Sequence, residues 1–112
     1  MDLRTLDAQT FAHFMLFATE RGWQASVATD DVTTWHVCIE ATPAAAICAV
    51  FDLPLAPPPI TMGQVRSVKI TNVHTGYNAS VDDSPYEFAS TPSEAVAKAI
   101  RLHGPRLVPP PY

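Results

Sequence analysis

The sequence predicts a single α+β domain in which an antiparallel sheet is packed by helices, in the order α-β-β-α-β-β-β-α. Three features carry that prediction. An uninterrupted run over residues 7–21 stops at Gly22, several short segments alternate apolar with polar residues, and two dipeptides, Thr42-Pro43 and Thr91-Pro92, each open a run of helix formers. A chain of 112 residues suits one such domain, placed over residues 1–104 with a Pro-rich tail over 105–112.

The first element is expected to be a helix over 7–21, "DAQTFAHFMLFATER", which lacks internal Pro and Gly and has Gly22 as a C-terminal stop. At 3.6 residues per turn Phe11, Phe14, Met15 and Ala18 share a face, while Leu16 and Phe17 fall outside it. Apolar side chains around most of its circumference call for burial from two sides, by a second layer or by a second copy. "WQASV" and "WHVCIE" follow as strands, the first alternating Trp23, Ala25 and Val27 against Gln24 and Ser26, the second Trp35, Val37 and Ile39 against His36, Cys38 and Glu40, joined through a polar stretch holding Asp30 and Asp31. Thr42 then offers a capping hydroxyl and Pro43 fits the first helical position, so a second helix runs to about Leu53. "LPLAPPPITMG" is an extended, proline-rich connection. "VRSVKITNV" and "YNASV" form a hairpin around His74-Thr75-Gly76, "YEFA" is a short strand, and Thr91, Pro92 and Glu94 open the last helix with a capping box.

The two halves are alike. "WQASV…DD…WHVCIEATP" and "YNASV…DD…YEFASTP" share an aromatic strand, an acidic pair, a second aromatic strand and a Thr-Pro helix start, which suggests a repeated ββα unit. Their helices differ in one respect. The last places Ala95, Val96, Ala99 and Ile100 inward and Glu94, Lys98 and Arg101 outward, with Glu94 and Lys98 at the favourable i,i+4 spacing. The earlier one places Ala46, Ile47, Val50 and Phe51 inward and the small, nearly uncharged Ala45, Cys48, Ala49 and Asp52 outward. Such a flank is covered either by the chain's own proline-rich segment or by a partner.

Composition narrows the function classes. Apolar residues make up 47% of the chain and charged residues 16%, against roughly 25% charged in ordinary soluble domains, so apolar surface is expected to face another molecule. A net charge of −4 argues against direct nucleic-acid binding. The start lacks a signal-peptide pattern and no segment approaches the ~20 apolar residues of a membrane span. A cytoplasmic protein with two free thiols, Cys38 and Cys48, is expected.

"ERGWQASV" after an apolar run, then "WHVCIE", then "TPAAAIC" resembles the core signature of the phage ABA sandwich domain over about residues 11–50. The resemblance implies a phage or prophage accessory protein with helices on both faces of a sheet. It supplies no catalytic residues. "GYNASVDDSPYEFASTPSEAVAKAI" is similar to HicB-type antitoxins, which set a sheet and helix against a small toxin.

Catalytic chemistry finds little support in the residue pattern. His13, His36, His74 and His103 are scattered without metal-ligand spacing, and there is no G-x-S-x-G, P-loop or G-x-G-x-x-G. No cofactor or metal is expected. His36 and Cys38 share a strand face without a third ligand placed beside them. Asp30-Asp31 and Asp82-Asp83 are turn carboxylates that could also steer a basic partner surface. Pro109-Pro110-Pro111-Tyr112 matches a WW-ligand pattern and is read as a tail.

The expected function is that of a non-enzymatic, phage-encoded protein that occludes a bacterial defence complex in the manner of anti-CRISPR proteins. The partner-binding residues would be Asp30, Asp31, Asp82, Asp83, Ala45, Cys48, Ala49 and Asp52, with Leu16 and Phe17 serving a homodimer. The alternatives are an antitoxin-like module and a self-associating phage accessory or structural protein.

Overall fold

The apolar run before Gly22 does not coil into a helix. In the computed structural model, which describes residues 3–29, 34–54 and 60–104, it contributes a strand, β1 (His13–Thr19), preceded by a 3₁₀ turn at Arg4–Ala8. The first helix expected from the sequence is therefore replaced by extended chain. As a strand, the run points Phe14 and Leu16 to the same side, where both are fully buried. A helix would have set Leu16 apart from Phe14. Hydrogen bonding completes the preference, because β1 is paired on both flanks.

A two-residue turn returns the chain into β2 (Gly22–Ala28), with Thr19 opposite Gly22. Gly22 has φ 129°, and a Cβ there would lie 2.4 Å from the Glu40 carbonyl oxygen, so only glycine fits. β3 (His36–Glu40) lies outside β2, and α1 (Pro43–Phe51) follows. Thr42 Oγ1 accepts the Ala45 N–H at 3.1 Å, as the capping chemistry requires. The second half supplies β4 (Ser67–Val73), β5 (Gly76–Val81), β6 (Glu87–Ala89) and α2 (Pro92–His103). Thr91 Oγ1 accepts the Glu94 N–H at 3.2 Å, and Glu94 reaches back to Ser90 Oγ at 3.2 Å. Asp7 ties the opening turn to this helix start by accepting from Ser93 N–H at 2.9 Å and Ser93 Oγ at 2.7 Å.

The strands form one six-stranded antiparallel sheet in the order β3-β2-β1-β4-β5-β6. Its register places Phe14, Leu16, Ala25, Val27, Val68, Ile70, Ala79 and Val81 on one face. Those residues form a single core cluster with Ala46, Ile47 and Val50 of α1 and with Ala95, Val96 and Ala99 of α2. Both helices thus cover the same face, α1 over β2 and β3, α2 over β5 and β6. The third layer expected from the sequence is not built by the described residues. The inward positions read for both helices hold, including the half-buried Phe51 and Ile100. Among the described residues no helix is long and apolar enough to cross a membrane.

Candidate functional site

With both helices on one face, the other face of the sheet carries the side chains that alternate with the core residues. Register sorts them into rows. One row runs Val37, Ser26, Met15, Lys69, Ser80; the next runs Ile39, Gln24, Phe17, Ser67. On the β3 side, apolar Val37 and Ile39 of the outer strand and Met15 and Phe17 of β1 flank the polar Ser26 and Gln24 between them. Ser26 is buried among these neighbours, and Gln24 Nε2 donates to its hydroxyl at 3.2 Å. Val37 is 52% and Ile39 40% exposed, while Met15 and Phe17 are half-buried. Trp35 extends this patch, its ring centroid 6.1 Å from that of His13, which in turn meets Thr71 Oγ1 at 3.3 Å. An apolar patch of this kind, left uncovered by the described residues and rimmed by polar groups, is the usual mark of a docking surface.

Toward β4 and β5 the same face turns polar. Lys69 Nζ donates to Asp83 Oδ1 at 2.9 Å, and that hydrogen bond, followed by the attraction of the carboxylate charge, holds the Lys69 amine above its ordinary pKa. On β6 the exposed Phe88 ring occupies the space above Gly76, where a Cβ would come within 2.8 Å of it.

In β3 the apolar face read from alternation, that of Val37 and Ile39, is not the core face. They face outward, and Cys38, half-buried against the core, faces in. The signal missed was position in the sheet: an edge strand with α1 lying over it needs only one small inward residue. Between β3 and the C-terminal end of α1 lies an open groove of about 570 Å³ lined by His36, Cys38, Ala49, Phe51 and Asp52, among others.

The residues proposed from sequence scatter over this frame. Phe17 lies in the apolar patch, whereas Leu16 is fully buried in the core and cannot meet a partner. Ala49 and Asp52 line the groove, and Ala45 is half-buried on the same flank of α1. Cys48 is only 3% exposed, so it is removed from the outer flank; four residues beyond buried Ala44, it is covered within the chain. Asp52 also ends α1 in a left-handed conformation, φ 54° and ψ 44°. Asp82 is spent structurally, its Oδ1 accepting from the N–H groups of Arg66 and Ser67. Asp83 is exposed beside Lys69, and Asp30, Asp31 and the 105–112 tail lie outside the described residues. The structure therefore brings Ala49 and Asp52 together at the groove beside β3, sets Phe17 apart on the opposite face of the sheet, and places Asp82 and Asp83 just after β5. Cys38 and Cys48 are both free thiols. No cluster of three metal-binding side chains occurs among the described residues.

Comparison of the chain with family models, with curated proteins and with solved structures finds no match.

Proposed function

We propose that this chain is a non-enzymatic binding protein that acts by covering a surface of another macromolecule, with the apolar patch on the uncovered sheet face as its recognition surface. The observation that supports this reading is the one-sided sheet, which leaves Val37, Ile39, Met15 and Phe17 together without a covering layer among the described residues. Phe17 and Met15 are of the residue types enriched at protein interfaces. The resemblance to phage proteins directs the reading to a particular partner class, a bacterial defence complex, which the protein would inhibit by occlusion.

Duplication accounts for the architecture in this reading. Exchanging Phe14 with Val68 and Leu16 with Ile70 maps the pair Phe14–Ile70 onto Leu16–Val68, so the β1–β4 junction has the register of a two-fold axis. Gly22 and Gly76 open the strands "GWQASV" and "GYNASV", and Thr42-Pro43 and Thr91-Pro92 open the helices. These correspondences support descent of both β-β-β-α halves from one unit.

The test is phage plating on a host carrying one active defence system and on an isogenic host lacking it. Expression of the chain is expected to raise plating only on the defended host, with the defence complex recovered on the tagged protein. Unchanged plating on a panel of defended hosts, with no complex recovered, would reject the defence-inhibitor assignment. Recovery of a small toxin instead would favour the antitoxin-like alternative.

A further inference from the structure

We infer that β3 is a self-pairing edge: it joins antiparallel to β3 of a second copy of this chain about a two-fold axis at Cys38, making one continuous sheet from two. β3 ends the strand order, with β2 on one side and no strand on the other among the described residues.

The direction of its free backbone groups follows from alternation, since successive residues of an antiparallel strand bond alternately to the two neighbours. In β1 the even residues serve β4, as Ala18 does by donating its N–H to the Arg66 carbonyl at 2.9 Å. Odd residues of β1 therefore serve β2, at Gly22, Gln24 and Ser26. That leaves Trp23, Ala25 and Val27 of β2 to bond Glu40, Cys38 and His36. Val37 and Ile39 consequently aim their N–H and C=O groups at the open edge. Exposed strand edges in monomers are usually blunted by charge, proline or a bulge; here the outward-bonding positions carry two exposed apolar side chains.

The segment His36-Val37-Cys38-Ile39-Glu40 is complementary to itself. Antiparallel pairing about Cys38 sets Val37 opposite Ile39 of the second copy, and each of these pairs uses the outward backbone groups. It also sets exposed His36 opposite Glu40 of the second copy, and exposed Glu40 opposite its His36. Moving the axis to Val37 or Ile39 destroys both the His36–Glu40 match and the full overlap, and in-register parallel pairing sets Glu40 against Glu40. The pairing of an imidazole donor with a carboxylate, and of Val37 with Ile39, thus selects a second copy, in one register, over a peptide of arbitrary sequence. An axis perpendicular to the sheet keeps all helices on one face, as the internal β1–β4 junction already does. The two α1 helices then face each other across the join, where the small Ala49 permits close approach over the groove beside β3. On the opposite face the Val37 and Ile39 rows of the two copies run together, so the patch assigned to partner binding doubles.

Sedimentation velocity on the full chain over a concentration series tests this, with thermal melting to confirm folding of each variant. A reversible dimer is expected. His36→Glu alone sets two carboxylates against each other across both symmetry-related pairs and should raise the dimer dissociation constant about tenfold. The double variant, His36→Glu with Glu40→Lys, should recover to within about threefold of the original. Val37→Pro deletes an outward N–H while leaving the β2 ladder intact, and should abolish the dimer without unfolding the monomer. A chain that stays monomeric at the highest concentration overturns the inference. So does a dimer indifferent to all of these variants, which would place the contact elsewhere. Protection of the Val37 and Ile39 amides from hydrogen exchange only on addition of an unrelated protein overturns it in favour of strand addition by that partner. None of these outcomes depends on phage plating, so failure here leaves the proposed function separately testable.

Discussion

The Asp82 carboxylate accepts the backbone N–H of Arg66 at 2.8 Å and that of Ser67 at 3.0 Å, closing the open end of the β4–β5 hairpin. Asp82 holds φ 51° to do so. Asp82→Ala removes both acceptor bonds and should cost about 1–2 kcal/mol, a fall in Tm of several degrees on thermal denaturation. Its neighbour Asp83 makes an exposed ion pair instead, and Asp83→Asn should change stability by less than about 0.5 kcal/mol. Equal losses at the two positions would contradict this division of roles.

The same ion pair fixes a pH dependence. Asp83 raises the Lys69 pKa in the folded chain, so the folded state holds that proton more tightly than the unfolded one. Its stabilisation is fully present below the ordinary lysine value and is lost as pH rises through the raised one. The small difference between the original chain and Asp83→Asn in urea titrations should therefore shrink between neutral and strongly alkaline pH.

Gly22 and Gly63 both have positive φ, yet they should respond differently to alanine. At Gly22 the new Cβ meets the Glu40 carbonyl within 2.4 Å, whereas at Gly63 nothing lies within 4 Å. Gly22→Ala adds a backbone clash to strain and should cost more than about 2 kcal/mol. Gly63→Ala bears conformational strain alone, about 1 kcal/mol. Denaturant midpoints for the two variants would check the order.

The helix caps offer an additive pair. Thr42→Ala and Thr91→Ala each delete a hydroxyl acceptor at a helix start and should cost about 1 kcal/mol apiece. The helices sit over opposite ends of the sheet, so the double variant should lose nearly the sum.

Local chemistry made most of the fold legible. The Thr-Pro starts, the alternation in "YNASV" and the turn at His74-Thr75-Gly76 each name their element through capping, pleat or turn geometry, and both helices keep their expected inner faces. β1 was misjudged because "HFMLFAT" is apolar at nearly every position, which satisfies a 3.6-residue period and a two-residue period alike. Its helix formers then decided the matter wrongly, since pairing on both flanks outweighs propensity. A usable signal existed in the likeness of "GWQASV" to "GYNASV": the segment before the second is plainly a strand, so the segment before the first should match it. The site was less legible. Phe17 was recognised as lying off the core, but Val37 and Ile39 belong to an edge strand, and only strand order reveals an edge.

Recognition by the apolar patch is tested most directly by substituting it without disturbing the core. Phe17→Ser, Val37→Ser and Ile39→Ser combined should leave the chain folded, because Val37 and Ile39 are exposed and Phe17 is only half-buried. Binding of this variant to the captured defence complex should be compared with that of a second variant carrying Asn at Asp30, Asp31, Asp82 and Asp83. The patch variant is expected to lose affinity by about a hundredfold or more, as removal of central apolar anchors does, while the acidic variant keeps most of its binding. Full binding by the patch variant, with loss confined to the acidic one, would contradict the account and assign recognition to charge.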